Sequence, residues 1–336
     1  MSTRRIALGG VAFVALAAAA HPFDGHAQAA APSHAISIAT LAPTGSTWVR
    51  ALEAWNRELR RRSSGTLSLR LYPNGVQGDE AELVRKIHAG RLDAGAMTAV
   101  GLAQIHRPTI AFQLPGLFAN YAELDRSRNA LRGELDTAFE HAGYELLGWG
   151  DVGNDRIFAT SAIHTPQDFA RTHPFVWRDD PIGRAFVQET GAHGVEMQVP
   201  EVLTGLQTHT IDSLTASPLA VASMQWAAQL PHMTDLSTGI EIGAIVIGRS
   251  QFDALTPDQR TLLRETATQF TTLMVRNVRH DDDGTIPQMQ ARGVAIVTPT
   301  AAERSQWEAI FTRTRARLTG QIADAAWIER VRGAAH

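Results

Sequence analysis

The chain carries FVWRDDPIGRAFVQETGAHGVEMQVPEVLTGLQTHTIDSLTASP at residues 175–218. Strand, helix, strand, helix and strand signals follow one another here with almost no spare loop. Asp180-Pro181, Pro200 and Ser217-Pro218 each place a proline in a helix's first turn, where its missing N–H costs nothing. An order β-α-β-α-β is the pattern of a parallel sheet covered by helices.

The start of the chain repeats that pattern. Residues 36–40 (ISIAT) read as a buried strand. Ser46 caps a helix whose Trp48, Leu52, Trp55 and Leu59 fall on one face. Residues 67–72 (LSLRLY) alternate as a strand and stop at Pro73-Asn74-Gly75. Asp79 with Glu82 predicts a capping box for a helix ending before Gly90, and residues 92–97 predict a third strand. A helix over 122–141 follows, capped by Asn120 with Glu123 and stopped by Gly143. Residues 144–149, 156–159 and 241–247 read as strands. The tail is mostly helical. Its long helix, over 257–280, carries Leu263, Thr266, Phe270, Leu273 and Asn277 on one face. A strand at 294–297 and helices after Thr300 and Thr319 complete it.

Two compact α/β sets with no flexible joint predict two lobes joined by extended crossing segments, near 146–152 and 235–245. The first lobe is expected over 34–147 plus 236–255 and the second over 148–235. Helices in 256–336 are expected to brace both. Ligands bind beyond the carboxyl ends of strands in open α/β sheets, so two facing lobes predict a cleft that closes on a hinge.

Residues 1–29 read as a secretory signal peptide: Arg4-Arg5, an apolar run over 6–20, then Ala27-Gln28-Ala29. The run falls short of the roughly 20 residues that span a bilayer. Export to the periplasm with cleavage near Ala29 is expected, and Thr3-Arg4-Arg5 leaves the general and twin-arginine routes both open. No later apolar run reaches spanning length. With no cysteine there is neither a disulfide nor a lipidated cysteine. The formal net charge of −3 gives no reason to expect nucleic acid or an anionic membrane as partner. Lys86 is the only lysine.

Little in the chain looks like an active site. Gly148-Trp-Gly150-Asp-Val-Gly153 matches G-x-G-x-x-G, but Asn154-Asp155-Arg156-Ile-Phe-Ala reads extended, so no helix N-terminus would receive a phosphate. Glycine flexibility at a hinge is the better explanation. His280-Asp281-Asp282-Asp283-Gly284 lacks the spacing and distal glutamate of a calcium loop and reads as a solvated helix end. The 13 histidines form no zinc pattern, and thiol catalysis is excluded. A binding protein without metal or cofactor is favoured over an enzyme. Of the 7 tryptophans, Trp55, Trp307 and Trp327 read as core. Trp48, Trp149, Trp177 and Trp226, at strand ends or lobe boundaries, are candidates to line an apolar cleft.

Several short segments, in order, resemble the solute receptors of TRAP transporters, the tripartite ATP-independent periplasmic systems, of the dicarboxylate-receptor (DctP) type. They are Ile38-Ala-Thr-Leu-Ala-Pro43, Tyr72-Pro-Asn-Gly-Val-Gln-Gly-Asp79, Leu114-Pro-Gly-Leu-Phe118, Pro181, Gly191-Ala192, Glu201-Val-Leu-Thr-Gly-Leu-Gln207 and Ile211-Asp212. The resemblance implies a two-lobed, periplasmic-binding-protein-like α/β fold, each lobe a mixed sheet flanked by helices. It implies a solute enclosed between the lobes and delivery to a membrane permease. It also implies an arginine five residues before the proline of the second lobe, to pair with a carboxylate; that position is Val176. Arg178 follows on the same strand face, Arg156 lies near another arginine-bearing segment, and Ser217 replaces an asparagine.

The expected ligand-binding set is Pro43, Thr44, Trp48, Asn74, Gln77 and Thr98 in the first lobe. To these are added Trp149 and Arg156 near the crossing, and Val176, Trp177, Arg178, Ser217 and Trp226 in the second lobe. The missing arginine points to a branch that takes an apolar or amphipathic, lipid-like solute. A small carboxylate held by Arg178 or Arg156 is the alternative. An enzyme of the same bilobal shape and a scaffold with a vestigial cleft are the readings from other classes.

Overall fold

The computed structural model describes residues 33–335; the leader expected over 1–29 lies outside the described residues. β1 (His34–Ala39), α1 (Thr47–Arg62), β2 (Leu67–Tyr72), α2 (Glu80–His88) and β3 (Ala94–Thr98) open the chain. α3 (Ala99–Ile105), α4 (Tyr121–Ala130) and α5 (Arg132–His141) lead to β4 (Tyr144–Ala159). The next block holds α6 (Pro166–Phe169), β5 (Phe175–Trp177), α7 (Pro181–Thr190), β6 (Val195–Met197), α8 (Val202–Gln207), β7 (Ser213–Ala216) and α9 (Pro218–Ser223). β8 (His232–Gly248), α10 (Arg249–Asp253), α11 (Pro257–Ala291), β9 (Ala295–Val297), α12 (Ala301–Leu318) and α13 (Ala325–Gly333) complete it.

Local chemistry explains most boundaries. The Ser46 hydroxyl accepts from the Val49 N–H at the start of α1. Asp180 accepts from Ile182 and Gly183 with Pro181 in the first turn of α7, and Gly191, at φ 82°, ends it. The helix expected over 122–141 is two helices. Leu131 leaves helical geometry between them (φ −98°, ψ 2°), and Leu124, Leu131 and Leu135 still share one core.

The main sheet runs β2-β1-β3-β8-β4-β7, with β9 beside β8. β1 is parallel to β2 and β3, and β8 is antiparallel to β3 and β4. β4 and β8 pair from Tyr144↔Gly248 to Ala159↔His232. The strands expected at 144–149 and 156–159 are therefore one strand, and the two expected crossings form one hydrogen-bonded ribbon. A single sheet passes through both lobes of this two-lobed α/β fold. Its ladder is interrupted between Leu146 and Gly148, Asp151 and Gly153, and Asp155 and Ile157, the bulges that let a strand bend.

The glycines of the G-x-G-x-x-G stretch serve mainly close packing. A Cβ on Gly148 would lie 2.4 Å from Thr271 Oγ1, and one on Gly150 would lie 2.6 Å from the Trp48 ring. Of the three, Gly153 alone, at φ 144°, adopts a conformation that favours glycine. Close packing is thus a second reason for glycine at the first two.

α11 differs most from expectation. It runs through the acidic cluster and Pro287 to Ala291. Asp282, read above as part of a solvated helix end, is 3% exposed. Its carboxylate accepts from the N–H of Asn154 on β4 and of Leu219 on α9, each at 2.9 Å. The buried face also departs from the expected one: Met274 and Val278 are buried and Asn277 is exposed. α11 packs on α1, β4 and α9, while α12 packs on α7 and α13 on α4. Trp55, Trp307 and Trp327 are core residues, and their N–H groups are satisfied by Thr266 Oγ1, His164 O and Pro108 O.

Candidate functional site

A cleft of about 1190 Å³, open solvent at its mouth included, opens between the lobes. The turn after β1 supplies Thr40 to Pro43, and the end of β3 supplies Met97 and Thr98. Trp48 on α1 forms part of the floor; its N–H donates to the Asp151 carbonyl on β4 at 2.9 Å. The second lobe contributes Phe175 and Trp177 from β5, Ala216 from β7, Leu219 and Ala220 from α9, and Met224 and Trp226 beyond it. Val152, Asp155 and Glu241 reach in from the crossing ribbon. The cleft thus lies beyond the carboxyl ends of β1, β3 and β5, as open α/β sheets place their ligands.

The structure brings five of the expected residues to this cleft: Pro43, Trp48, Thr98, Trp177 and Trp226. Eight do not line it. Thr44 and Asn74 form an exposed rim pair, with the Thr44 N–H donating to Asn74 Oδ1 and the Asn74 amide donating to Thr44 Oγ1. Gln77 accepts from the Lys86 ammonium through its carbonyl and side chain. Trp149 packs 6.5 Å from Phe112, with the Arg128 guanidinium over its ring, inside the first lobe. Ser217 caps α9 and donates to the Val152 carbonyl. Arg156 turns to backbone carbonyls of Asn154 and Asp155 and to Asp235.

The remaining two, Val176 and Arg178, correct the expected face of β5. Val176 is 3% exposed and packs in the second-lobe core against Val187 and Phe186. Arg178 shares that side and is exposed outside the cleft. Phe175 and Trp177 are the β5 residues that line the cleft. Side chains alternate along a strand, and the count from Pro181 selects the wrong parity. Among the described residues, no arginine or lysine lines the cleft.

Carboxyl groups line it instead. Glu80 is 1% exposed and accepts from the Thr98 N–H, the Thr98 hydroxyl and the Gly101 N–H at 2.7–2.8 Å. Burial pushes its pKa up to about 7. Asp180, the α7 cap, is likewise raised by burial. Gly153 pairs with Glu241 across the ribbon, so Asp155, two residues along β4, is the diagonal neighbour of Glu241 on the same face. Burial raises both, and like charge adds to it: Asp282 acts on Asp155, and Asp155 acts on Glu241. Asp155 Oδ1 and Gln113 Oε1 are sealed from solvent and have no hydrogen-bond partner among the described residues.

The sequence holds faint signals for this set. Glu241 is the lone acid between Ile240 and Ile242 in an apolar strand, and an acid in such a run marks a buried charge. Glu80 looks like an ordinary first-turn residue, and Asp155 is hidden beside Arg156.

Asp79 links the two lobes. Its Oδ2 accepts from the Trp177 indole N–H at 3.0 Å and from the Val199 N–H at 3.1 Å, both on the second lobe. Its Oδ1 accepts from Glu80 N–H. Glu82 pairs with Arg85 instead, so the expected capping box does not form.

A cleft between two lobes, with aromatic and aliphatic walls and a few carboxyl groups, suits the binding of a small solute. Residues 38–319 match the bacterial extracellular solute-binding protein family 7, DctP. The chain belongs to this family: it is a receptor of the TRAP type, a class of periplasmic solute-binding proteins that work with membrane permeases, and not an enzyme. It is 25% identical over 261 residues to the 2,3-diketo-L-gulonate-binding periplasmic protein YiaO of Escherichia coli, covering 74% of this chain and 76% of that one. It is 22% identical over 255 residues to the C4-dicarboxylate-binding periplasmic protein DctP of Vibrio cholerae, covering 75% and 76%. Among solved structures, a TRAP periplasmic solute-binding protein from Shewanella oneidensis with bound succinate superposes with a TM-score of 0.85 at 19% identity, covering 91% of this chain and 100% of that one. The sugar acid binding protein of Advenella mimigardefordensis in complex with galactonate gives 0.86 at 17% identity, covering 90% and 98%.

Proposed function

We propose that this receptor captures an apolar or amphipathic solute in its interlobe cleft and passes it to a TRAP permease. One observation carries the reading: the lining is mostly aromatic and aliphatic and, although four carboxyl groups enter it, no arginine or lysine does among the described residues. A charge-assisted pair with a carboxylate contributes about 1.5–3 kcal/mol, roughly ten- to hundredfold in affinity. A carboxylate buried here would lose that and add the cost of its own desolvation. The organic acids bound by the relatives favour the rival reading, a small carboxylate gripped by Arg178 or Arg156, but neither side chain lines the cleft. Export with cleavage near Ala29 belongs to the same proposal, and the intact mass of the secreted protein tests it.

The experiment is native mass spectrometry of protein purified from the periplasm, with extraction of whatever it retains. A ligand with a substantial hydrocarbon body is expected. Recovery of small organic acids alone would overturn the reading.

A further inference from the structure

We infer that the solute carries a positively charged, hydrogen-bond-donating head, a primary ammonium or its equivalent, held between Asp155 and Glu241 while its apolar body lies among Trp48, Phe175, Trp177 and Trp226. The inference rests on the amphipathic reading and adds the chemistry of the head.

The acceptors in the cleft exceed what the protein itself can satisfy. Asp155 Oδ1 and Gln113 Oε1 are buried without partners among the described residues, although buried polar atoms are nearly always paired. The Glu241 carboxyl lines the cleft and makes no hydrogen bond or ion pair among the described residues. Two of the three cleft-lining indole N–H groups are already committed, that of Trp48 to Asp151 O and that of Trp177 to Asp79. Among the described residues, no lysine or arginine enters to neutralise the carboxyls. A donor-rich cation supplies both missing quantities, hydrogen-bond donors and positive charge. The indole walls favour the same charge, because an aromatic face attracts a cation. An anion would meet like charge on the ribbon.

Glu241 faces Asp155 on β4, Glu80 at the start of α2, Asp180 at the cap of α7 and Asp282 on α11. Arg156, outside the lining, offsets part of the charge on Asp155. Burial and this crowding hold both carboxyls above their ordinary range, and a bound cation favours their charged forms. Affinity for a cation therefore rises with pH, whereas affinity for a neutral solute of the same shape does not.

The test is calorimetric titration of the mature protein with three probes of equal chain length: octylammonium, octan-1-ol and octanoate. Octylammonium is expected to bind about tenfold or more tighter than octanol, the ratio that one charge-assisted contact supplies. Octanoate is expected to bind most weakly. Glu241→Gln and Asp155→Asn should each remove about tenfold of the octylammonium affinity and leave that for octanol within about twofold. Raising the pH from 5 to 8 should strengthen octylammonium binding alone. Equal or tighter binding of octanol or octanoate overturns the cationic head but leaves the amphipathic reading standing. Failure of all three to bind overturns both. The comparison in the unmutated protein decides the matter even if a variant does not fold.

Discussion

The indole N–H of Trp177 donates to Asp79 Oδ2 at 3.0 Å, and this bond joins the two lobes through a residue that lines the cleft. The Val199 N–H donates to the same oxygen. One buried carboxylate of the first lobe thus holds two donors of the second, and the residue that forms a wall of the site also helps to shut it.

Trp177→Phe keeps most of the ring and removes its donor. A hydrogen bond to a charged group contributes about 1.5–3 kcal/mol, so the ratio of closed to open receptor should fall about tenfold or more. Small-angle scattering of the ligand-free variant should show a larger radius of gyration than the parent. An unchanged radius would remove the latch from Asp79.

Arg178→Ala should leave solute affinity within about twofold, the range of a surface substitution, because Arg178 is exposed outside the cleft. Titration with the extracted ligand checks it. A loss of about fifty-fold or more, on the order of 2.3 kcal/mol, would restore an arginine clamp.

Asp151 is fully buried on β4 and pairs with Arg128 at 2.8 Å and Arg279 at 2.6 Å; both arginines also hold Asp125. Arg279→Ala strips one of two partners from a buried carboxylate; Arg128 remains, so the cost should fall below about 3–5 kcal/mol, that of a buried charge left unpaired. Urea denaturation should show the loss in its midpoint.

The Trp48 ring lies over Gly150 so closely that a Cβ there would come within 2.6 Å. Gly150→Ala should cost about 1–3 kcal/mol by overpacking. In a Trp48→Phe background the colliding ring atoms are gone and the cost should shrink. A strictly additive double-mutant cycle would rule out this contact as the reason for glycine.

Stability should decline as pH rises from about 4 to 7. The folded-state pKa values of Glu80, about 7, and Asp282, about 6, lie above their ordinary carboxylate values because of burial. A folded state that binds protons more tightly than the unfolded chain is stabilised most at low pH. The contribution is full below the unfolded values and lost as pH passes through the folded ones. Melting curves at pH 5 and 7 measure it, and Glu80→Gln should flatten the dependence.

Much of the architecture was legible because short-range chemistry fixed it. Ser46, Asp180 and Ser217 each mark a helix start by a side chain that accepts from a nearby N–H. The two lobes follow from the repeated β-α-β order. What escaped depends on partners distant in sequence. Asp282 looks solvated beside Asp281 and Asp283 until β4 and α9 present their N–H groups to it. The parity of β5 is invisible in three residues, since neither Phe175-Val176-Trp177 face is polar. The acid pair on the ribbon depends on a strand register that no local pattern states.

The ribbon of β4 and β8 also sets how the molecule moves. Both strands are continuous from one lobe into the other, and α11 packs along β4 as one helix from Pro257 to Ala291. Among the described residues no loose tether joins the halves; the connection is a leaf spring whose ladder defects are the places where it can give. Opening and closing then bend a hydrogen-bonded sheet rather than swing about a loop.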